Sequence, residues 1–203
     1  LYVYGSSQAQ IVSSVTGLAR NIVFNGTVAS TCKYLHFRDI IFTGTGTLSD
    51  SGGAYIGDLG GNQNLFVTPK TVYWNKAGGG NWHATDAWAL TSGGTVGDYV
   101  PLPQDTAIIQ DTGLNASATI TINSAIYVSG IDCSTRTLAA TLTTSGNCVF
   151  MGDIKLSSAM TYSSSSLNYF RKRGIQKITS NGARFWRGLY VDNVTGGVEL
   201  QDA

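Results

Sequence analysis

The sequence predicts an all-β fold, and within that class a right-handed parallel β-helix, or β-solenoid. Apolar residues recur with a period of two over short segments rich in Val, Ile, Thr, Tyr and Phe, and no helix-length segment shows a 3.6-residue period. Clusters of Gly and Asn separate these segments, because both residues adopt positive φ readily in turns. Charged residues make up only 12% of the chain and apolar residues 42%, which excludes a disordered chain.

Eight segments carry the strand pattern, in chain order. Turn clusters such as Asn25-Gly26, Gly60-Gly61-Asn62 and Ser145-Gly146-Asn147 lie between them. The predicted strands are residues 22–24, 35–42, 118–122, 126–131, 138–143, 149–156, 188–192 and 197–200.

Short phrases that resemble one another favour stacked coils over hairpins. The phrases RNIVFNGT, RDIIFTGTGTL, YVSGIDCS, CVFMGDIKLSS and FWRGLYVDN recur at unequal distances. Such a degenerate repeat is typical of a solenoid, whose coils bury their inward residues against neighbouring coils and tolerate insertions at corners. A β-sandwich is the alternative fold, since its hairpin spacing of about 8–12 residues is also loosely met.

Hydroxyl side chains are predicted to form ladders on the outside of the coils. In TITIN, TLAATLTTSG and AMTYSSSS the outward positions are mostly Ser and Thr. These residues can stack coil over coil and hydrogen-bond to one another without charge.

A long segment near the middle of the chain, YWNKAGGGNWHATDAWALTSGGTVGDYVPLPQDTAII, resembles a module of long β-helical proteins of tailed-bacteriophage virions, especially tail-fibre proteins, which also occurs in secreted bacterial surface proteins. The segment IQKITSNGARFWRGLYVDNVTGGVELQDA is similar to a coil found further along the same proteins. The first match is carried by Tyr73, Trp74, Gly79, Gly80, Trp82, Trp88, Ser92, Gly93, Gly94, Gly97, Val100, Pro101 and Asp105.

The resemblance implies a division of the chain and a function. Residues 1–70 would end a preceding solenoid module, and residues 71–203 would open the next one within a longer polypeptide. The implied function is structural and non-enzymatic, in a tail fibre or virion appendage that supports host-surface attachment, at the virion or outside the cell. Other virion subunits are the implied partners, with the chain as a homotrimer and a host-surface glycan as a further ligand. A secreted adhesin stalk and a polysaccharide depolymerase tailspike are the alternatives.

Three tryptophans of this segment have two interpretations. Trp74, Trp82 and Trp88 could form a stacking platform for sugar rings. They could instead cover an apolar solenoid edge, with their indole N–H groups bonded to carbonyls, and this interpretation is favoured. It predicts that the three rings are buried.

Acidic residues supply candidates for catalysis and for calcium. Asp105, Asp111, Asp132 and Asp153 could include a glycosidase-type carboxylate pair. Each stands beside a turn, however, where capping of backbone N–H groups is the ordinary role. Asp50, Asp58 and Asn62 could bind calcium but lack the regular ligand spacing, and His36 and His83 lack a partner motif. We therefore predict no catalytic residue and no cofactor, with calcium as the alternative.

A cluster of basic residues is the local electrostatic feature, since the net charge is only +1. That balance predicts neither nucleic-acid binding nor insertion into a membrane. The cluster could contact an anionic ligand or a neighbouring subunit, and the second role is favoured. Its members are Arg171, Lys172, Arg173, Lys177, Arg184 and Arg187.

The three cysteines, Cys32, Cys133 and Cys148, show no metal-ligand spacing. Buried free thiols are favoured, and a Cys133–Cys148 disulfide remains the alternative.

Overall fold

The computed structural model describes residues 9–27, 33–50, 55–185, 187–193 and 195–202. These residues contain strands β1 to β23 and no helix, as predicted. Cys32 and Trp186 lie outside them. The chain divides into two compact units, one of Leu1–Pro69 with Leu102–Gln104 and one of Lys70–Pro101 with Asp105–Ala203.

Unit 1 is a stack of short parallel strands. They form three sheets in the orders β1-β3-β6, β2-β4 and β5-β7. Its core includes an edge-to-face pair between Phe37 and Phe42, whose ring centroids lie 5.0 Å apart. The strands are β1 (Ala9–Val12), β2 (Arg20–Val23), β3 (Leu35–Arg38), β4 (Ile40–Thr43), β5 (Leu48–Ser49), β6 (Ile56–Asp58) and β7 (Leu65–Phe66).

Unit 2 repeats the same plan over more coils. The strands are β8 (Thr71–Trp74), β9 (Gly79–Asn81), β10 (Trp88–Ala89), β11 (Val96–Gly97), β12 (Thr106–Ile108), β13 (Ala118–Ile122), β14 (Ile126–Val128), β15 (Gly130–Asp132), β16 (Ala140–Thr144), β17 (Cys148–Phe150), β18 (Ile154–Lys155), β19 (Met160–Ser164), β20 (Asn168–Phe170), β21 (Ile175–Thr179), β22 (Leu189–Val191) and β23 (Gly197–Leu200). They form three sheets, in the orders β11-β10-β8-β12-β15-β18-β21-β23, β19-β16-β13-β9 and β14-β17-β20-β22.

Successive coils of unit 2 pair in parallel with a regular advance. Thr106 lies beside Gly130, 24 residues later, and Ala140 lies beside Met160, 20 residues later. The predicted β-solenoid is therefore confirmed. The β-sandwich alternative is wrong, because the sheets of a sandwich are antiparallel. Among the described strands, antiparallel pairing is confined to β8, β10 and β11.

Corners between sheets interrupt three of the predicted strands. Residues 35–42, 126–131 and 149–156 each contain a bend at which the chain passes from one sheet to another. Asp39 forms the first bend with a φ of 55°, and its buried carboxylate accepts a hydrogen bond from the Gly17 N–H at 2.8 Å. Alternation of apolar residues continues through such a bend, so a corner is hidden in the sequence pattern.

Several strands of unit 2 were missed by the prediction. They include β8, β12, β19, β20 and β21. β19 shows the reason, because three of its five residues are Ser or Thr and its inward positions include Ser164. Hydroxyl residues at inward positions blur the alternation on which the prediction rested.

The hydroxyl ladders are present on the sheet formed by β13, β16 and β19. The outward columns are Thr119–Thr141–Thr161 and Thr121–Thr143–Ser163. A hydrogen bond between hydroxyls of adjacent coils lies inside the coil, where Thr144 Oγ1 donates to Ser164 Oγ at 2.7 Å. Stacking of outward hydroxyls is thus confirmed, and the core also contains a polar bond.

Arg136 fastens one coil of unit 2 to the loop of the coil before it. Its side chain is buried, and its guanidinium donates to the carbonyl oxygens of Gln110, Leu114 and Asn115 at 2.9–3.0 Å. The Asp111 carboxylate lies 3.4 Å from the same guanidinium. One side chain therefore satisfies three backbone acceptors that the loop itself leaves without donors.

We expect Arg136→Met to lower the free energy of unfolding by about 3 kcal/mol or more, because each buried acceptor left without a donor costs about 1–3 kcal/mol. Urea denaturation followed by tryptophan fluorescence measures this loss. Lys155→Met is the matched control, since the Lys155 side chain is 55% exposed and its loss should change stability by less than about 0.5 kcal/mol. Equal losses in both variants would contradict the role given to Arg136.

Candidate functional site

The three tryptophans of the module segment are buried in unit 2. Trp82 and Trp88 meet edge to face with ring centroids 4.7 Å apart, and Trp74 and Trp88 do so at 5.1 Å. The indole N–H groups of Trp74 and Trp88 donate to the carbonyl oxygens of Lys76 and Trp82. The Trp82 N–H has no acceptor, so the predicted bonding holds for two of the three rings. Burial is confirmed, and these rings present no open face to a sugar.

The residues around the tryptophans hold a hairpin against the edge of a sheet. β10 pairs antiparallel with β8, which places Trp88 beside Trp74 and Ala89 beside the half-buried Tyr73. The hairpin thereby covers the side of β8 that faces away from β12. This segment is built as a cover for a strand edge, which would otherwise offer unpaired backbone groups.

The glycines, the proline and the aspartate of the module are also placed for backbone reasons. Gly80 and Gly93 have positive φ, and a Cβ on Gly94 would lie 2.3 Å from Thr91 Oγ1. Pro101 is buried. Asp105 is buried as well, and its Oδ1 accepts a hydrogen bond from the Lys70 N–H at 2.8 Å, at the start of β8.

The four aspartates considered for catalysis all accept hydrogen bonds from backbone N–H groups, as their position beside turns predicts. The donors for Asp111, Asp132 and Asp153 are Thr137 and Leu138, Ser134, and Lys177, respectively, and Lys70 serves Asp105. Of the four, Asp132 and Asp153 line one groove.

The groove lies on the sheet of β12, β15 and β18 and has a volume of about 320 Å³. Two ion pairs stand in it, Asp132 with Lys155 at 3.5 Å and Asp153 with Lys172 at 2.7 Å. It is lined by Thr106, Ser129, Gly130, Ile131, Asp132, Met151, Gly152, Asp153, Lys155 and Lys172. We refer to this site as the corner groove, because Ser129 and residues 151–153 are corners of successive coils.

Both carboxylates of the corner groove are held in the ionised form. Burial alone would raise the pKa of Asp132, but hydrogen bonds from Ser134 and the charge of Lys155 lower it overall. Burial likewise opposes the lowered pKa of Asp153, which results from the Lys172 ammonium and the Lys177 N–H. A general acid working near neutral pH needs a raised pKa, which neither residue has.

The residues considered for calcium use their oxygens within turns. Asp58 Oδ1 accepts from the Gly60 N–H at 2.7 Å and from Asn62 Nδ2 at 2.6 Å. Asn62 Oδ1 accepts from the Ile40 N–H, and Asp50 Oδ2 from the Thr68 N–H. Within the described parts of the chain, no three His, Cys, Asp or Glu side chains are grouped to hold a metal ion.

The basic cluster is partly neutralised by acids that are distant in sequence. Arg171 pairs with Asp192 at 3.1 Å, and Lys172 pairs with Asp153. Lys177 lies beside Glu199 on the neighbouring strand. Arg184 lines a separate cavity of about 290 Å³ with Asn181, whereas Lys172 lines the corner groove. The basic side chains therefore do not serve one common site.

Two cysteines and the histidines are inert where the structure describes them. Cys133 and Cys148 are free thiols, as favoured, and burial raises the pKa of each to about 12. His36 is buried in unit 1, and burial lowers its pKa to about 3. His83 lies 3.2 Å from the Ser124 hydroxyl, and its pKa is also lowered by burial.

Comparison of the chain with protein-family models, curated proteins and solved structures finds no match. In the described ranges, none of the secondary structure is a helix with the length and hydropathy to cross a membrane.

We expect Gly79→Ala to destabilise unit 2 by more than about 1 kcal/mol, because Gly79 has a φ of 79° and an added Cβ would lie 2.1 Å from the Thr119 carbonyl oxygen. Gly78→Ala is the matched control, since an added Cβ meets nothing within 4 Å there. Thermal unfolding of the two variants measures the difference. The backbone role of Gly79 would be refuted by equal unfolding temperatures.

We expect unit 1 to lose stability as the pH falls below about 6.5, because the unfolded chain protonates His36 there while the folded chain keeps it neutral down to about pH 3. The loss approaches about 1.4 kcal/mol per pH unit. Hydrogen exchange of the Phe37 amide against pH reports on unit 1 alone, whereas His83 belongs to unit 2. His36→Gln should remove this dependence, and an unchanged pH profile in that variant would contradict it.

Proposed function

We propose that this chain is a structural β-solenoid segment of a phage tail fibre or related virion appendage, and that it supports attachment to a host surface. The observation that carries the proposal is an apolar core left open at the last coil of unit 2. Leu189, Val191 and Leu200 occupy inward positions but are 46%, 51% and 68% exposed. Their partners on the preceding coil are Asn168, Phe170 and Ile178, which are 0–1% exposed.

An open core is what a segment inside a longer stack of coils would show. Solenoid repeats bury their inward residues only against neighbouring repeats, and terminal repeats need a polar outer face for solubility. β22 and β23 instead present apolar side chains and a strand edge. A further coil would continue both sheets, which suits an elongated appendage.

The polar groups of unit 2 also favour a scaffold over an enzyme. The candidate aspartates cap backbone N–H groups, and the module tryptophans are buried. The phage setting, the homotrimer and the location on the virion come from the sequence resemblance and are part of the proposal.

A depolymerase is the second candidate, because the corner groove brings Asp132 and Asp153 together. The lowered pKa of both carboxyls weighs against it, since neither could serve as the acid. A secreted adhesin stalk would use the same coils and differs from the fibre only in the assembly that contains them.

Immunogold electron microscopy tests the proposal, with antibodies raised against the purified chain. We expect labelling along a fibre of phage particles and a trimer by native mass spectrometry of the released appendage. Labelling of the bacterial surface in the absence of phage would instead support the adhesin. Release of new reducing ends from host polysaccharide, lost in Asp153→Asn, would overturn the non-enzymatic role.

A further inference from the structure

We propose that the corner groove binds a neutral saccharide, one or two sugar rings in length. This proposal deepens the function proposed above and rests on it for its biological setting. Its physical basis is independent, because it depends only on the groove in unit 2.

The charge balance of the groove selects against ionic ligands. Two carboxylates and two ammonium groups line it, so their charges cancel. A polyanion would meet Asp132 and Asp153, and a polycation would meet Lys155 and Lys172. An entirely apolar ligand would strip water from four charges without replacing its hydrogen bonds.

Hydroxyl groups match what the groove offers. Each hydroxyl donates one hydrogen bond and accepts others, so neighbouring hydroxyls of a sugar can bind a carboxylate and an ammonium group together. The Asp132 and Asp153 side chains are 25% and 35% exposed, and Lys172 is 30% exposed. They can therefore be reached from outside while being partly withdrawn from water, which strengthens hydrogen bonds to them.

Apolar surface and size complete the match. Met151 and Ile131 lie among the polar lining groups and can contact the C–H face of a sugar ring, for which the flexible Met side chain is well suited. The volume of about 320 Å³ is at the lower end of the range for small-molecule pockets, so the groove suits a short segment of a glycan.

The groove is held by the contact between coils. A Cβ on Gly130 would lie 2.3 Å from the Asp153 carbonyl oxygen, and one on Gly152 would lie 2.6 Å from the Ser129 carbonyl oxygen. Glycine at both corners brings the coils close, and this proximity sets Asp132 and Asp153 beside the same space. The binding groups are therefore positioned before any ligand arrives.

NMR titration of the ¹⁵N-labelled chain tests the proposal, with maltotriose, mannotriose, cellotriose and galactotriose as neutral probes and trigalacturonate as the acidic one. We expect at least one neutral probe to shift the amide signals of Ser129, Gly130 and Gly152 saturably, and the acidic probe to shift them less. Lys155→Ala should weaken the binding about tenfold, because a hydrogen bond to a charged group is lost.

Lys177→Ala is the matched control, since this exposed lysine lies on the same sheet but outside the groove lining. It should leave the titration unchanged. No shift at the three amides with any neutral probe, or tighter binding of trigalacturonate, would overturn the proposal. Either result leaves the labelling of the fibre untouched, and a failure of that labelling leaves the titration untouched, so the two proposals can fail separately.

Discussion

The stacking of each coil on the next, in parallel register, is the constraint on which unit 2 depends. The backbone ladder sets the distance between coils, and the inward side chains must then fill that fixed spacing. Columns such as Ile120–Leu142–Tyr162 show the consequence, because each inward residue packs on the residue one coil earlier. Anything that separates two coils opens both the ladder and the core.

Corners carry most of the cost of this arrangement. At each corner the backbone bends while the neighbouring coil remains within hydrogen-bonding distance, so bulky residues are excluded and exposed carbonyl groups need donors. Gly130 meets the first requirement, and Arg136 meets the second for the loop at residues 110–115. The corner groove is a by-product of the same geometry, and its polar groups face outward because the core has no room for them.

Local chemistry explains which features could be predicted from the sequence. Period-two alternation identified β13 and β23 with their observed bounds, and the position of the aspartates beside turns identified them as backbone caps. The bend at Asp39 could not be located, because alternation continues through it. The basic cluster was also misleading as a charged patch, because Asp153 and Asp192 neutralise Lys172 and Arg171 only after the coils have stacked.

By itself, the sequence determined the all-β class, the solenoid and the burial of the module tryptophans, because these follow from alternation, composition and the size of the indole ring. Only the tertiary structure decided which polar groups come together. Asp132 and Asp153 are 21 residues apart in the chain and meet in one groove because a coil takes 20 to 24 residues. Loops of unequal length conceal that period in the sequence, and the hydrogen-bonded register restores it.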